Sequence, residues 1–155
     1  LTYGLPPGAL PAADEAAYVE LWRQTATALQ SRRGAEARKS AAALVKGYPK
    51  LSGAWALACE AHLALGFAGD ARGACGKALQ LDAGQARPHY LLALIDENER
   101  KRGAAIEHLE KSLAADDSNE DAWRRLGALY AATHMDSARA SLSGKYQAKF
   151  GRPLR

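Results

Sequence analysis

The chain has 155 residues, of which 35 are Ala and 21 are Leu, against only four Val and Ile combined (Val19, Val45, Ile95 and Ile106). Ala and Leu lead the helix propensities while strands rely on β-branched and aromatic residues, so the composition excludes a sheet of any size. The longest apolar runs fall short of the roughly 20 residues that span a bilayer, and a net charge of +4 is smaller than nucleic-acid-binding domains usually carry.

Residues 1–17 hold three of the six prolines, and Pro6-Pro7-Gly8 cannot sit in a helix interior. This segment reads as an extended arm or linker, with helix beginning near Asp14. The opening Leu, in place of Met, reads as an excised or processed product. The sequence does not name the compartment; the cytoplasm is favoured, and the processed start admits the periplasm.

From residue 18 onward the sequence repeats. Residues 52–85 lie on residues 86–119 without a gap, so that Trp55 falls on His89, Ala71 on Ala105, Lys77 on Lys111, Leu79 on Leu113 and Asp82 on Asp116. The next unit places Trp123 on Trp55, and stepping back gives a first unit in which Ala37 falls on Ala71. The expected units are 18–51, 52–85, 86–119 and 120–150, followed by a tail at 151–155. Each reads as two helices separated by a short break, at Arg33-Gly34, Gly66 to Gly69, Arg100 to Gly103 and Thr133 to Asp136. Pro88 falls in a first helical turn, where its missing N–H costs little. Small residues at Cys59, Ala71, Ala93, Ala105 and Gly127 would let paired helices approach closely. In the fourth unit Arg139 stands where the period asks for Ala, and Ala138 comes one step early. That offset predicts a one-residue deletion in the turn before the last helix.

The stretches WALACEAH at 55–62, WRRLGALY at 123–130 and AIEHLEKSLAAD at 105–116 resemble the tetratricopeptide repeat family. The resemblance covers residues 18–150. It implies an all-α, right-handed solenoid of about four helix-turn-helix repeats with a terminal capping helix. The first unit departs from the pattern, lacking the aromatic start and carrying Thr25 at a small-residue position. Such repeats act as binding scaffolds in unrelated processes, so the resemblance implies a protein or peptide partner without naming one.

Catalytic signals are sparse. Gly76-Lys77 and Gly144-Lys145 lack the upstream Gly and following Ser or Thr of a phosphate loop and lie inside expected helices. His62, His89, His108 and His134 never occur at metal-ligand spacing, so no enzyme activity, metal or cofactor is expected. His62 and Asp96 share the slot of Tyr130, and a partly wet rim is the expectation for both. Cys59 and Cys75 fall on facing helices of one unit. A disulfide between them needs Cα atoms within about 7 Å, and buried free thiols are the expectation.

Charge is uneven along the units, with a net of +5 over 18–51, −2 over 86–119 and +4 over 120–155. No interleaved aromatics accompany the basic ends, which read as solvated helix faces without nucleic-acid binding or membrane insertion. The resemblance places the binding surface on the first helix of each unit. Its expected groove residues are Trp22 and Leu29, Glu60 and Leu63, then Arg87, Tyr90, Leu94 and Glu97, and Arg124. Apolar anchors among charges of both signs suit an extended peptide or an amphipathic helix. The alternatives are a self-association scaffold, forming a homo-oligomer by end-to-end stacking or exchange of the arm, and then an RNA-binding repeat.

Overall fold

The computed structural model describes residues 5–155. Among them are eight α-helices and no strand: α1 Ala12–Gln30, α2 Gly34–Gly47, α3 Ser52–Ala64, α4 Ala68–Leu81, α5 Ala86–Asn98, α6 Arg102–Ala115, α7 Glu120–Ala132 and α8 Asp136–Phe150. They fall into two compact units, Leu1–Gly84 and Gln85–Arg155, each holding two helical hairpins. No helix among the described residues is long and apolar enough to cross a membrane.

The 34-residue period is visible in the backbone. Helices α2, α4, α6 and α8 begin at Gly34, Ala68, Arg102 and Asp136, and helices α3, α5 and α7 at Ser52, Ala86 and Glu120, every step being 34 residues. The hairpin turns repeat at the level of single hydrogen bonds. The N–H groups of Arg33, Phe67, Lys101 and Met135 each donate to a carbonyl five residues back, on Ala28, His62, Asp96 and Tyr130. The residue before each of them, Arg32, Gly66, Arg100 and His134, has a φ between 55° and 80°. This is the Schellman ending, in which a left-handed residue satisfies the last carbonyls of a helix.

The same register removes the deletion expected in the fourth unit. The link from Ala132 to Asp136 has three residues, like the link from Asn98 to Arg102. Arg139 is tolerated at its small-residue position because it is exposed, whereas Ala37, Ala71 and Ala105 are fully buried. The misreading came from matching side-chain types where the backbone frame had not moved.

Of the described part of the 1–17 arm, residues 12–17 are helical, Leu5 is buried, Leu10 is half-buried and the rest is exposed. Helix α1 starts at Ala12, with Asp14 and Glu15 in its first turn, where acidic side chains complement the helix dipole. Leu5 joins the buried cluster of Tyr18, Leu44, Ala54 and Leu57, so it contributes to the core of its own unit. Residues 1–4 lie outside the described residues.

Two further expectations are corrected. Cys59 and Cys75 form a disulfide. Their Cα atoms are 5.2 Å apart, inside the roughly 4.4–6.8 Å range that a bridge tolerates; one lies on α3 and the other on α4. Asp96, expected at a wet rim, is 1% exposed. Its carboxylate lies 3.7 Å from Nε2 of His108 on α6, a companion that lets the buried group persist.

In the second unit the Trp123 indole donates to the Asp117 carbonyl at 2.8 Å, and in the first unit Trp55 donates to the Pro49 carbonyl at 2.8 Å. The recurring aromatic thus ties each helix start to the turn before it. Trp123 also packs edge-on against Tyr146 of α8, which in turn lies against Phe150.

A left-handed backbone costs a non-glycine residue roughly 1–2 kcal/mol. Arg32→Gly is therefore expected to raise stability by about 1 kcal/mol and Gly66→Ala to lower it by a similar amount. Urea unfolding of the two variants beside the parent chain checks the opposite signs.

Candidate partner-binding surface

The first helices of the second unit, α5 and α7, carry the densest set of groups that no packing requirement explains. Arg87, Tyr90, Leu94 and Glu97 lie on α5 at spacings of three and four residues, which sets them along one side of the helix. Leu94 is half-buried, Arg87 is exposed, and the Arg87 guanidinium lies 5.3 Å from the Tyr90 ring centroid. That distance is within cation–π reach.

Tyr90 is only 8% exposed, yet its hydroxyl remains polar because it donates to the carboxylate of Asp121 on α7. Arg125 Nε donates to the same Asp121 carboxylate at 2.6 Å, and its other arm reaches Glu97 at 3.3 Å. Four side chains thus form a chain that runs from α5 to α7 and back to α5. Arg124, one residue earlier, points its charge to solvent and is exposed.

The charges in this network support one another. Burial opposes the Arg125 charge, but the hydrogen bond to Asp121 and the carboxylates of Asp121 and Glu97 outweigh it and hold the guanidinium above its ordinary value. Burial likewise opposes ionisation of Asp121, and the donors Tyr90 and Arg125 overcome it, leaving the carboxyl below its ordinary range. Burial, followed by the Asp121 carboxylate, pushes the Tyr90 phenol upward. At neutral pH Asp121 is therefore a carboxylate, Arg125 a guanidinium and Tyr90 a neutral phenol.

The expected groove residues divide between the two units. Arg87, Tyr90, Leu94, Glu97 and Arg124 all belong to the second, and the network joins Tyr90 and Glu97. Trp22, Leu29, Glu60 and Leu63 belong to the first and are half-buried. Trp22 and Leu29 pack against the Tyr18, Leu44 and Leu57 cluster, so much of their apolar area is already used within the unit. Arg125, the centre of the network, is absent from the sequence-based set. Its i,i+4 spacing from Asp121 was a usable signal for the ion pair, since such residues neighbour one another on a helix.

The α5–α6 hairpin holds a second polar cluster. Nδ1 of His89 and Nδ1 of His108 lie 3.1 Å apart, and the far nitrogen of His108 faces Asp96. One imidazole donates and the other accepts. Among the described residues no group of three or more His, Cys, Asp or Glu is placed to hold a metal ion.

No protein-family model matches the sequence, and no curated protein does. Solved structures match it well. A thermophilic TPR protein of Thermus thermophilus superposes with a TM-score of 0.71 at 20% identity, over 85% of this chain and 73% of that one. The fold is that of the tetratricopeptide repeat. PilF of Pseudomonas aeruginosa gives 0.71 at 16% identity, over 88% of this chain and 63% of its own. The O-GlcNAc transferase of Thermobaculum terrenum gives 0.77 at 20% identity over 91% of this chain, which spans only 28% of the transferase. An all-α helical-repeat architecture is therefore established, and these likenesses, all far from identity, speak to the fold alone.

Arg125→Ala leaves Asp121 and Glu97 without their shared cation. Because Arg125 and Asp121 are each more than a third exposed, the expected loss is about 1 kcal/mol, in the range of a partly screened pair. The network has defined pH limits. Asp121, lowered on folding, contributes fully above its ordinary 3.8 and loses that contribution as pH falls through its lower folded value. Tyr90, raised on folding, contributes fully below its ordinary 10.0 and loses it as pH climbs through its higher folded value. Urea titrations are expected to show the Arg125→Ala penalty constant inside that interval, shrinking below it as Asp121 takes up a proton, and growing above it, where Arg125 would offset the Tyr90 phenolate.

Proposed function

We propose that this chain is a non-catalytic protein-interaction scaffold that binds a peptide or helical segment of a partner protein along the α5–α7 face. The single observation that carries this reading is the Tyr90–Asp121–Arg125–Glu97 network. Its members hold one another, so the face meets a partner with its polar groups already oriented and less ordering entropy left to lose. Leu94 supplies apolar area beside the network, while Arg87 and Arg124 supply cations at its edge. An apolar anchor flanked by fixed charges favours a segment with alternating apolar and acidic positions.

Trp22, Leu29, Glu60 and Leu63 form the corresponding face of the first unit in this proposal. Leu63 and Glu60 are its better candidates, since Trp22 and Leu29 are engaged with the core cluster. The TPR fold supports the general reading because it is built from helix pairs that present whole faces, with little enclosed space for catalysis. Titratable groups on the α5–α7 face are spent on one another, which also speaks against a reacting group there.

The test compares proteins retained from a lysate by the parent chain and by the double variant Leu94→Asp, Arg124→Glu, both checked by circular dichroism. Partners held by the parent and lost by at least tenfold from the folded variant are expected. An unchanged set of partners would remove the α5–α7 face from the mechanism.

A further inference from the structure

Helix α4 is weaker than its neighbours in two respects. Its buried side chains are Ala71, Ala74, Cys75 and Ala78, none larger than cysteine. It also contains Gly69, Gly73 and Gly76, and a Cβ at any of these would meet nothing within 4 Å, so packing does not require them. Each glycine weakens a helix relative to alanine. The equivalent helix one period later, α6, buries Ile106 and Leu109.

In the 34-residue frame Cys59 corresponds to Ala93 and Cys75 to Leu109, and all four are 0% exposed. A disulfide therefore stands where the next hairpin has two buried aliphatic residues. We propose that Cys59–Cys75 is an oxidation site on which the α3–α4 hairpin depends, and that the chain consequently folds and works in a compartment that oxidises thiols. Disulfides persist in such compartments and are rare where glutathione and thioredoxin keep thiols reduced.

Complete burial of both cysteines fixes the order of events. The oxidant reaches them before the hairpin closes. The thiolate of Cys59 or Cys75 attacks a disulfide-bearing oxidant, forming a mixed disulfide and expelling one thiolate. The other cysteine's thiolate then attacks the bonded sulfur, creating the Cys59–Cys75 bond and releasing the second thiolate. Two electrons pass to the oxidant, and the two protons lost by the cysteines end on its reduced thiols.

Hydrogen exchange of the full chain, oxidised and after reduction, reads the dependence directly. The bond closes a loop with a sequence separation of 16, and a constraint of that length predicts exchange in α4 faster by on the order of 100-fold once it is removed. Loss of protection in α3–α4, alone or with the rest of the chain, supports the proposal. Unchanged protection of α4 overturns it. The Cys59→Ala, Cys75→Leu variant, which copies the next hairpin, is expected to be insensitive to reductant. Should that variant fail to fold, the comparison of oxidised and reduced parent chain still decides. For the compartment, acid-quenched chain from the cells that make it is treated with maleimide before any reduction. No label is expected, and two labels per chain would overturn this part of the proposal.

Discussion

The structure depends on one steric constraint, the close approach of the two helices within each hairpin at a position that recurs every 34 residues. On the first helix of the pair this position is Thr25, Cys59, Ala93 and Gly127. Each hairpin closes it with different chemistry. Thr25, fully buried, sets its hydroxyl 2.9 Å from that of Ser40. Cys59 is bonded to Cys75. Ala93 is buried in the frame of Leu109, and Gly127 leaves room that Leu154 and Leu142 occupy. The residue must be small because the helix backbones are near, and Ala37, Ala71 and Ala105 on the second helices meet the same demand. Closing each hairpin in turn presents its first helix with one side committed to packing and the other available.

That division places the α5–α7 face. Leu91, Leu92, Ala93 and Ile95 of α5 are buried, while Leu94 and Glu97 remain partly exposed on the remaining side. On α7, Trp123 and Leu126 are buried, leaving Asp121, Arg124 and Arg125 to meet the polar groups of α5 or solvent. The network is thus a by-product of the repeat: the same spacing that stacks hairpins brings Tyr90 and Asp121, 31 residues apart, into hydrogen-bond contact.

The period, the hairpin turns and the small-residue contacts were legible in the sequence because they are local or strictly repeated. Pairs such as Gly66 with Arg100 share the 34-residue frame in the sequence itself. What escaped was chemistry set by side-chain direction. The spacing of Cys59 and Cys75 put them on facing helices but could not say whether their Cβ vectors converge. His89 and His108, 19 residues apart, match no ligand spacing and meet only because α5 and α6 pack. Asp96 was misplaced for the same reason, since its surroundings are set by how α5 and α6 pack. Arg139 misled in the opposite direction: a side chain out of pattern suggested a shifted backbone, where the helix simply has an exposed position.

The central claim is that a partner lies along the α5–α7 face, and the most direct measurement is site-specific photo-crosslinking in the intact chain. A benzophenone side chain replaces Leu94 in one protein and Glu107 in another. Glu107 lies on α6 and is 65% exposed at its side chain, so it controls for chance contact. The account predicts that a partner is captured from position 94 and not from position 107. Capture from position 107 with none from position 94 would contradict it.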